Sequence, residues 1–343
     1  MTWDVDYLRD NRDENMGFLS KTLLPDGTEI PGTNFDYNYL QHRKVDVVSS
    51  ALDFILPFEK YKITAGAKVS FTNTRNGINY DTSDPTLVQD DYFRYKEQIY
   101  ALYADYSREY SERFSMQLGL RMEHTRTTGI SEAKDTEDKH DYTRLFPTVY
   151  LLYSPTDGHA LNFSFSNRIS RPSQNMVNPF PFYQNKYTYA CGREDLKPSY
   201  TYNVELGYTL KNNFNVSAYY SYSDDVFFQV VDLDAETNVT SFLWENFMQT
   251  HAFGLNNSYT FRTKWLQAYA QHGVSYHRTT SSAATTSPEE KGWAYDASLR
   301  NTFFFNEKKT LLATLSGSYS SRQYQGIYLM SPTYSCLLYT SPS

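Results

Sequence analysis

The sequence lacks any run approaching the ~18 consecutive apolar residues that a membrane helix needs, which excludes a helical membrane protein. Cysteine is almost missing: Cys191 and Cys336 are too few for a disulfide framework. Positive charge is short as well, with 32 Lys and Arg against 39 Asp and Glu and a net charge of −7. That balance offers no basic stripe for nucleic acid. No Cys/His cluster has zinc spacing and no Gly-rich loop precedes a helix, so no metal or other cofactor is expected.

Aromatic residues are abundant, at 17% of the 343 positions, with 32 Tyr and 22 Phe. Tyrosine suits a boundary between apolar and wet surroundings, having an apolar body and a polar tip. The apolar residues also fall with period two, the signature of a strand whose faces meet different environments. In 160-ALNFSFSNRISRPS-173, Leu161, Phe163 and Phe165 alternate with Asn162, Ser164 and Ser166. Similar alternation runs through Tyr61 to Phe71, Phe114 to Met122, Tyr200 to Leu210, Phe214 to Tyr222, Phe253 to Phe261, Trp293 to Phe303 and Leu311 to Tyr319. The repeats read as strands of about ten residues, long enough to cross a bilayer at a tilt.

Connections between them alternate in length. Short ones fall at 57–60, 109–113, 155–158, 211–213, 262–264 and 306–309, and long polar ones at 10–36, 76–94, 128–141, 168–199, 224–250 and 278–291. An up-and-down barrel of the outer membrane alternates in this way, with tight turns at one rim and long loops at the other. Aromatics flank the tight turns: Phe58 and Tyr61, Tyr110 and Phe114, Tyr153, Phe214, Phe261 and Trp265, Phe305. On one rim they would form an interfacial girdle. The fold class is therefore all-β, an antiparallel up-and-down transmembrane barrel. Leu206, Phe163, Val69 and Leu118 are expected to face lipid, and Glu205, Lys68 and Arg121 the lumen, because Lys or Arg on the lipid face costs about 2–4 kcal/mol at the midplane. The competing structure is a soluble sandwich or propeller, whose strands also favour Tyr and Phe.

The segment 167-NRISRPSQNMVNPFPFYQNKYTYACGREDLKPSYTYNVELGY-208 resembles the middle of TonB-dependent outer-membrane receptors, in the branch called the outer membrane β-barrel family. The resemblance rests on Arg168, Arg171 and Pro172; Asn178, Pro179 and Phe180; Leu196, Lys197 and Pro198; and Asn203, Glu205, Leu206, Gly207 and Tyr208. The stretches 118-LGLRMEHT-125 and 145-LFPTVYLLYSP-155 are similar to strands of the same receptors, and the likeness extends over residues 1–330. One departure is 191-CGRED-195, where the family more often has a Gly-Asn-Pro turn.

The resemblance implies a large barrel of the 22-stranded type in the outer membrane of a Gram-negative bacterium. It implies a lipid bilayer around the wall, an upstream plug domain, TonB acting through that plug, a nutrient ligand and a surface lipoprotein as partners. About thirteen strands, with no plug or signal peptide, make residues 1–330 a barrel fragment whose start lies upstream. Residues 331–343 are expected to be a strandless tail, most simply non-native read-through.

Candidate contacts to ligand or plug are Arg121, Glu123, Arg171, Phe180, Tyr183, Tyr187 and Glu205. In the family, acidic barrel residues engage arginines of the plug. Without a plug, the lumenal carboxylates Glu123 and Glu205 are expected to be hydrated, or paired with internal cations such as Arg121. The loop 169–199, rich in Asn, Pro and aromatics, is expected to fold over the barrel mouth. Alternative functions are a plug-less binding or adhesion barrel, using Phe180, Phe182, Tyr183, Tyr187 and Tyr189, and an outer-membrane hydrolase. For the hydrolase, Asp90, Asp91, Asp224, Asp225, His251 and His272 assemble into no catalytic spacing, so no enzyme is expected.

Overall fold

The computed structural model describes residues 1–31, 35–82 and 90–341. Its first seven strands are β1 (Thr2–Ser20), β2 (Phe35–Pro57), β3 (Tyr61–Thr82), β4 (Asp91–Ser111), β5 (Phe114–Ser131), β6 (Thr136–Tyr153) and β7 (His159–Ser170). A loop then carries a single helical turn, α1 (Gln174–Val177), and two short strands, β8 (Phe182–Asn185) and β9 (Thr188–Cys191). The wall resumes with β10 (Ser199–Leu210), β11 (Phe214–Asp234), β12 (Val239–Arg262), β13 (Leu266–Ser281), β14 (Glu289–Phe304) and β15 (Leu312–Ser320). A small hairpin, β16 (Gln323–Gln325) and β17 (Tyr328–Met330), precedes β18 (Thr333–Ser341).

Every wall strand pairs antiparallel with its neighbour in the order β1 to β7, β10 to β15, then β18, within a 16-stranded sheet that also includes β8 and β9. Without β18 that path holds the thirteen strands expected from the alternation. No described helix is long and apolar enough to cross a membrane, which says nothing of strands.

Pairing registers divide the wall into two faces, since directly paired residues project to the same side. Leu206 pairs with Phe163, Phe163 with Leu151, and Leu151 with Met116, two positions from Leu118. Leu118 pairs with Tyr106, six positions from Tyr100, which pairs with Val69. The other face runs from Glu205 through Ser164 and Tyr150 to Gln117, four positions from Arg121. Arg121 pairs with Tyr103, and Ala101, two positions away, pairs with Lys68. All seven expected orientations are met. On the lipid side Leu206 is 56% exposed and Leu120 50%, values that suit residues surrounded by bilayer rather than by core.

Aromatics near the tight turns are exposed, as a girdle requires: Phe58, Tyr110, Tyr153, Phe261, Trp265 and Phe305. Several pack against one another, including Phe58 on Tyr61 at 4.4 Å between ring centroids. The turn at 211–213 is tight because Lys211 and Asn212 both adopt positive φ, the twist that matches a two-stranded hairpin.

Strand lengths differ from the expected ten residues: β2 has 23 and β12 has 24. Most of the expected long loops are hairpins standing above the membrane. The connection placed at 128–141 narrows to 132–135, and that at 224–250 to 235–238. Beyond the bilayer both faces of a strand meet water, so alternation fades while the backbone ladder continues. The segments at 32–34 and 83–89, parts of the connections expected at 10–36 and 76–94, lie outside the described residues. The described part of the expected tail, up to Ser341, also departs from expectation. Thr333–Ser341 forms β18, pairing with β15 from Thr333–Ser320 to Ser341–Leu312, because the free edge of β15 accepts any extended backbone.

Candidate functional site

Among the described residues, the connection after β7 is the longest, and it turns inward. Leu196, Tyr183, Phe180 and Val177 are buried with Tyr37 and Tyr39 of β2, Ile78 of β3 and Phe93 of β4. Burying four such side chains supplies about 1.5–3 kcal/mol each before ordering entropy is subtracted. Polar contacts fix its position. The hydroxyls of Tyr37 and Tyr80 donate to the Pro181 carbonyl at 3.2 and 3.3 Å, and the Gln174 amide donates to Thr74 Oγ1. Strand β9 adds in parallel to β12 through Thr188–Thr240 to Cys191–Leu243.

The loop closes on itself where the sequence departs from the family pattern. Gly192 N donates to the Asn178 carbonyl at 2.9 Å, and Arg193 N to the Met176 carbonyl at 2.7 Å. A Cβ at position 192 would lie 2.2 Å from the Asn178 carbonyl oxygen, so only glycine permits this approach. Arg193 then bridges Asp195 at 2.7 Å and Glu245 of β12 at 2.7 Å. Hydrogen exchange across 175–190 is expected to be strongly protected, at least at the backbone donors of α1 and β9. Complete exchange at the earliest times would contradict an ordered lid.

Cys191 sits beneath this closure, its Sγ donating to the Pro179 carbonyl at 3.0 Å. Burial pushes the thiol pKa up. The folded state therefore keeps Cys191 more protonated than an unfolded thiol, which is about half ionised near pH 8.5. Alkylation by N-ethylmaleimide at that pH is expected to be at least about tenfold slower in the native protein than in urea. Equal rates would show the thiol to be free. The sign also fixes the stability trend: burial of the neutral thiol stabilises below the unfolded pKa and is lost as pH rises through the folded one.

At the foot of the loop lies a cluster of four charges. Glu123 is 7% exposed. Arg121 Nε donates to its Oε1 at 2.6 Å, and Arg171 Nη2 donates to its Oε2 at 2.5 Å. Arg171 also donates to Thr125 Oγ1 at 3.3 Å, and its Nε stands 3.7 Å from Glu97 Oε1. Two carboxylates and two guanidiniums thus neutralise one another, as burial requires. The structure brings together Arg121, Glu123 and Arg171; Glu97 and Thr125 are members the sequence reading omitted. Glu97 lies in a stretch with apolar residues on both faces, so its phase was not legible.

The remaining candidates stand elsewhere. Phe180 and Tyr183 are spent on the lid's core, while Tyr187 at the tip between β8 and β9 is exposed. Glu205 projects into the lumen far below. Its register partner reaches Tyr150 on β6, six positions or roughly 20 Å from Arg144, the partner of Glu123. It has no ion-pair partner among the described residues and borders a polar cavity of about 240 Å³ with Asn162, Asn256, Asn257 and Gln271. The pairing expected for lumenal carboxylates therefore describes Glu123.

Two of the groups weighed for hydrolysis, Asp90 and Asp91, have structural work. Asp91 accepts from Ser131 Oγ at 2.7 Å and Ala133 N at 2.8 Å, and Asp90 accepts from Tyr80 N at 2.8 Å, both closing loops. Among the described residues, no group of three or more His, Cys, Asp or Glu side chains could hold a metal ion.

A long antiparallel meander with a lipid-type exterior, a polar lumen and an inward-packed loop defines the wall of an outer-membrane β-barrel. The chain belongs to the outer membrane protein β-barrel family, whose model matches residues 1–341. Its place is the outer membrane of a Gram-negative bacterium. No curated protein matches it in sequence. Similar solved structures include the copper transporter OprC, at 12% identity and a TM-score of 0.62, covering 96% of this chain and 56% of OprC. The ferric yersiniabactin uptake receptor FyuA from Yersinia pestis matches at 14% identity and 0.58, covering 98% and 50%. The siderophore receptor PiuA from Acinetobacter baumannii matches at 12% and 0.57, covering 97% and 58%. The chain thus spans about half the length of these proteins.

Proposed function

We propose that the chain is wall and lid of a TonB-dependent receptor, which captures a nutrient with its outer loops and imports it with energy delivered through a plug domain. The observation carrying this reading is the lid: 171–198 folds into the lumen and packs on β2 to β4, with a cavity lined by aromatic and charged side chains between lid and wall. The proposed partners are the plug, TonB, a small nutrient and a surface lipoprotein covering the mouth. A plug-less binding barrel is supported by the exposed Tyr187, which could stack on a glycan or peptide.

Deleting the gene and measuring nutrient uptake, with and without a working TonB, tests the reading. Uptake lost in both strains supports it; ligand bound at the surface but never energised favours the binding barrel. Glu205 offers a finer test, being an unpaired lumenal carboxylate able to take a bidentate bond from a plug arginine. In the complete receptor, Glu205→Gln is expected to raise small-solute conductance in planar bilayers while leaving barrel assembly intact. Unchanged leak and uptake would leave Glu205 a solvated lumenal charge.

A further inference from the structure

The inward faces of β1 and β2 carry an arrangement that the lid does not use. Arg12 pairs directly with Arg43 across the two strands, and both border a cavity of about 430 Å³ between wall and lid. Like charges facing each other across a strand pair repel. Their compensation is incomplete. Arg43 Nη2 reaches Asp10 only at 3.3 Å, and its Nε is buried without a hydrogen-bond partner. Arg12 makes no hydrogen bond or ion pair among the described residues. Asp10 and Glu14 flank Arg12 on the same face; Glu14 pairs in register with Gln41, and both border the cavity beside the arginines.

Past the Glu14–Gln41 pair comes Tyr39 of β2, and Phe182 of the lid and Trp244 of β12 line the same cavity. A cavity of this size with an apolar wall and a few convergent polar groups is what small-molecule sites share. Two guanidiniums at one end select an anion, carboxylate geometry being matched by their fork of donors. Flat rings at the other end select a planar apolar body.

The geometry points to a binding site for a small aromatic carboxylate, its anion held between Arg12 and Arg43 and its ring set among Tyr39, Phe182 and Trp244. This rests on the receptor reading, whose ligand class it names. The lid supplies part of the site, so lid order and ligand affinity are linked.

The probe is a matched pair of equal shape: N-acetyltryptophan, an anion, and N-acetyltryptophanamide, which is neutral. Calorimetric titration of the full-length receptor in detergent is expected to show the anion binding at least about tenfold more tightly, the scale of one charge-assisted hydrogen bond. Arg43→Gln removes that preference, and Trp244→Leu weakens both compounds alike. Should Arg43→Gln fail to assemble, Arg12→Gln at the exposed partner reads the same preference. Equal affinities, absence of binding, or a preference surviving both arginine variants overturns the site. Uptake is scored separately. Loss of energised uptake with anion selectivity retained would overturn the transporter reading alone; retained uptake without selectivity would overturn this site alone.

Discussion

In the Glu123→Gln variant, the lid is expected to detach while the wall survives. The carboxylate holds two guanidiniums, and glutamine preserves its shape but removes its charge. Arg121 and Arg171 are then left facing each other with Glu97 as their remaining counter-charge, 3.7 Å from Arg171. Breaking a buried pair by deleting one partner costs about 3–5 kcal/mol. The wall can absorb that, since its ladders run unbroken from β1 to β7 and from β10 to β15. The lid cannot, because Arg171 is its first residue beyond β7 and anchors it to β5. Proteolysis and hydrogen exchange within 175–190 should accelerate by orders of magnitude, with heat-modifiable migration of the barrel unchanged.

Arg171→Gln should loosen the lid too, by deleting the same bond from the other side and depriving Glu97 of its cation. Because both substitutions remove one interaction, the double variant should cost less than the sum of the singles, by about 1–3 kcal/mol of coupling. Strict additivity, or an undisturbed lid in Glu123→Gln, would show that the apolar packing of Val177, Phe180, Tyr183 and Leu196 suffices and that the charge cluster merely fills space.

What could be read from the sequence follows from where physics imposes a pattern. Between the rims lipid meets one face and water the other, so Leu161, Phe163 and Phe165 had to alternate with polar partners. That is why the orientation of Leu206 and Glu205 was legible without coordinates. Above the rim the constraint vanishes: 41-QHRK-44 is polar on both faces yet lies mid-strand in β2, paired from Gln41–Ile78 to Lys44–Arg75. Hairpins standing in water leave no periodic trace. The lid was visible as a composition of Pro, Asn and rings, but not its direction of folding. That direction depends on Tyr37, Ile78 and Phe93, which are distant in sequence and unremarkable alone. The ion cluster was half legible. Arg121 and Glu123 share a face by parity, whereas their link to Arg171 closes 48 residues later.

Orientation itself gives the second large effect. Leu206→Arg is expected to abolish or severely impair assembly of the barrel, whereas Glu205→Arg, one residue away, should leave it folded. Leu206 lies mid-strand in β10, flanked across the ladder by Phe163 of β7 and Ala218 of β11, on the face whose other members are aliphatic or aromatic. A guanidinium there enters hydrocarbon at a cost of about 2–4 kcal/mol near the midplane. Glu205 pairs with Ser164 and Tyr219 on the opposite face, beside a polar cavity where a cation finds amides and water. Chemical identity is matched in the two variants, so the difference isolates direction. Folding into lipid vesicles, followed by heat-modifiable gel migration, measures both. Equal folding efficiencies would mean that the greasy face of β10 does not contact lipid, and would remove the physical basis for reading this sheet as a membrane wall.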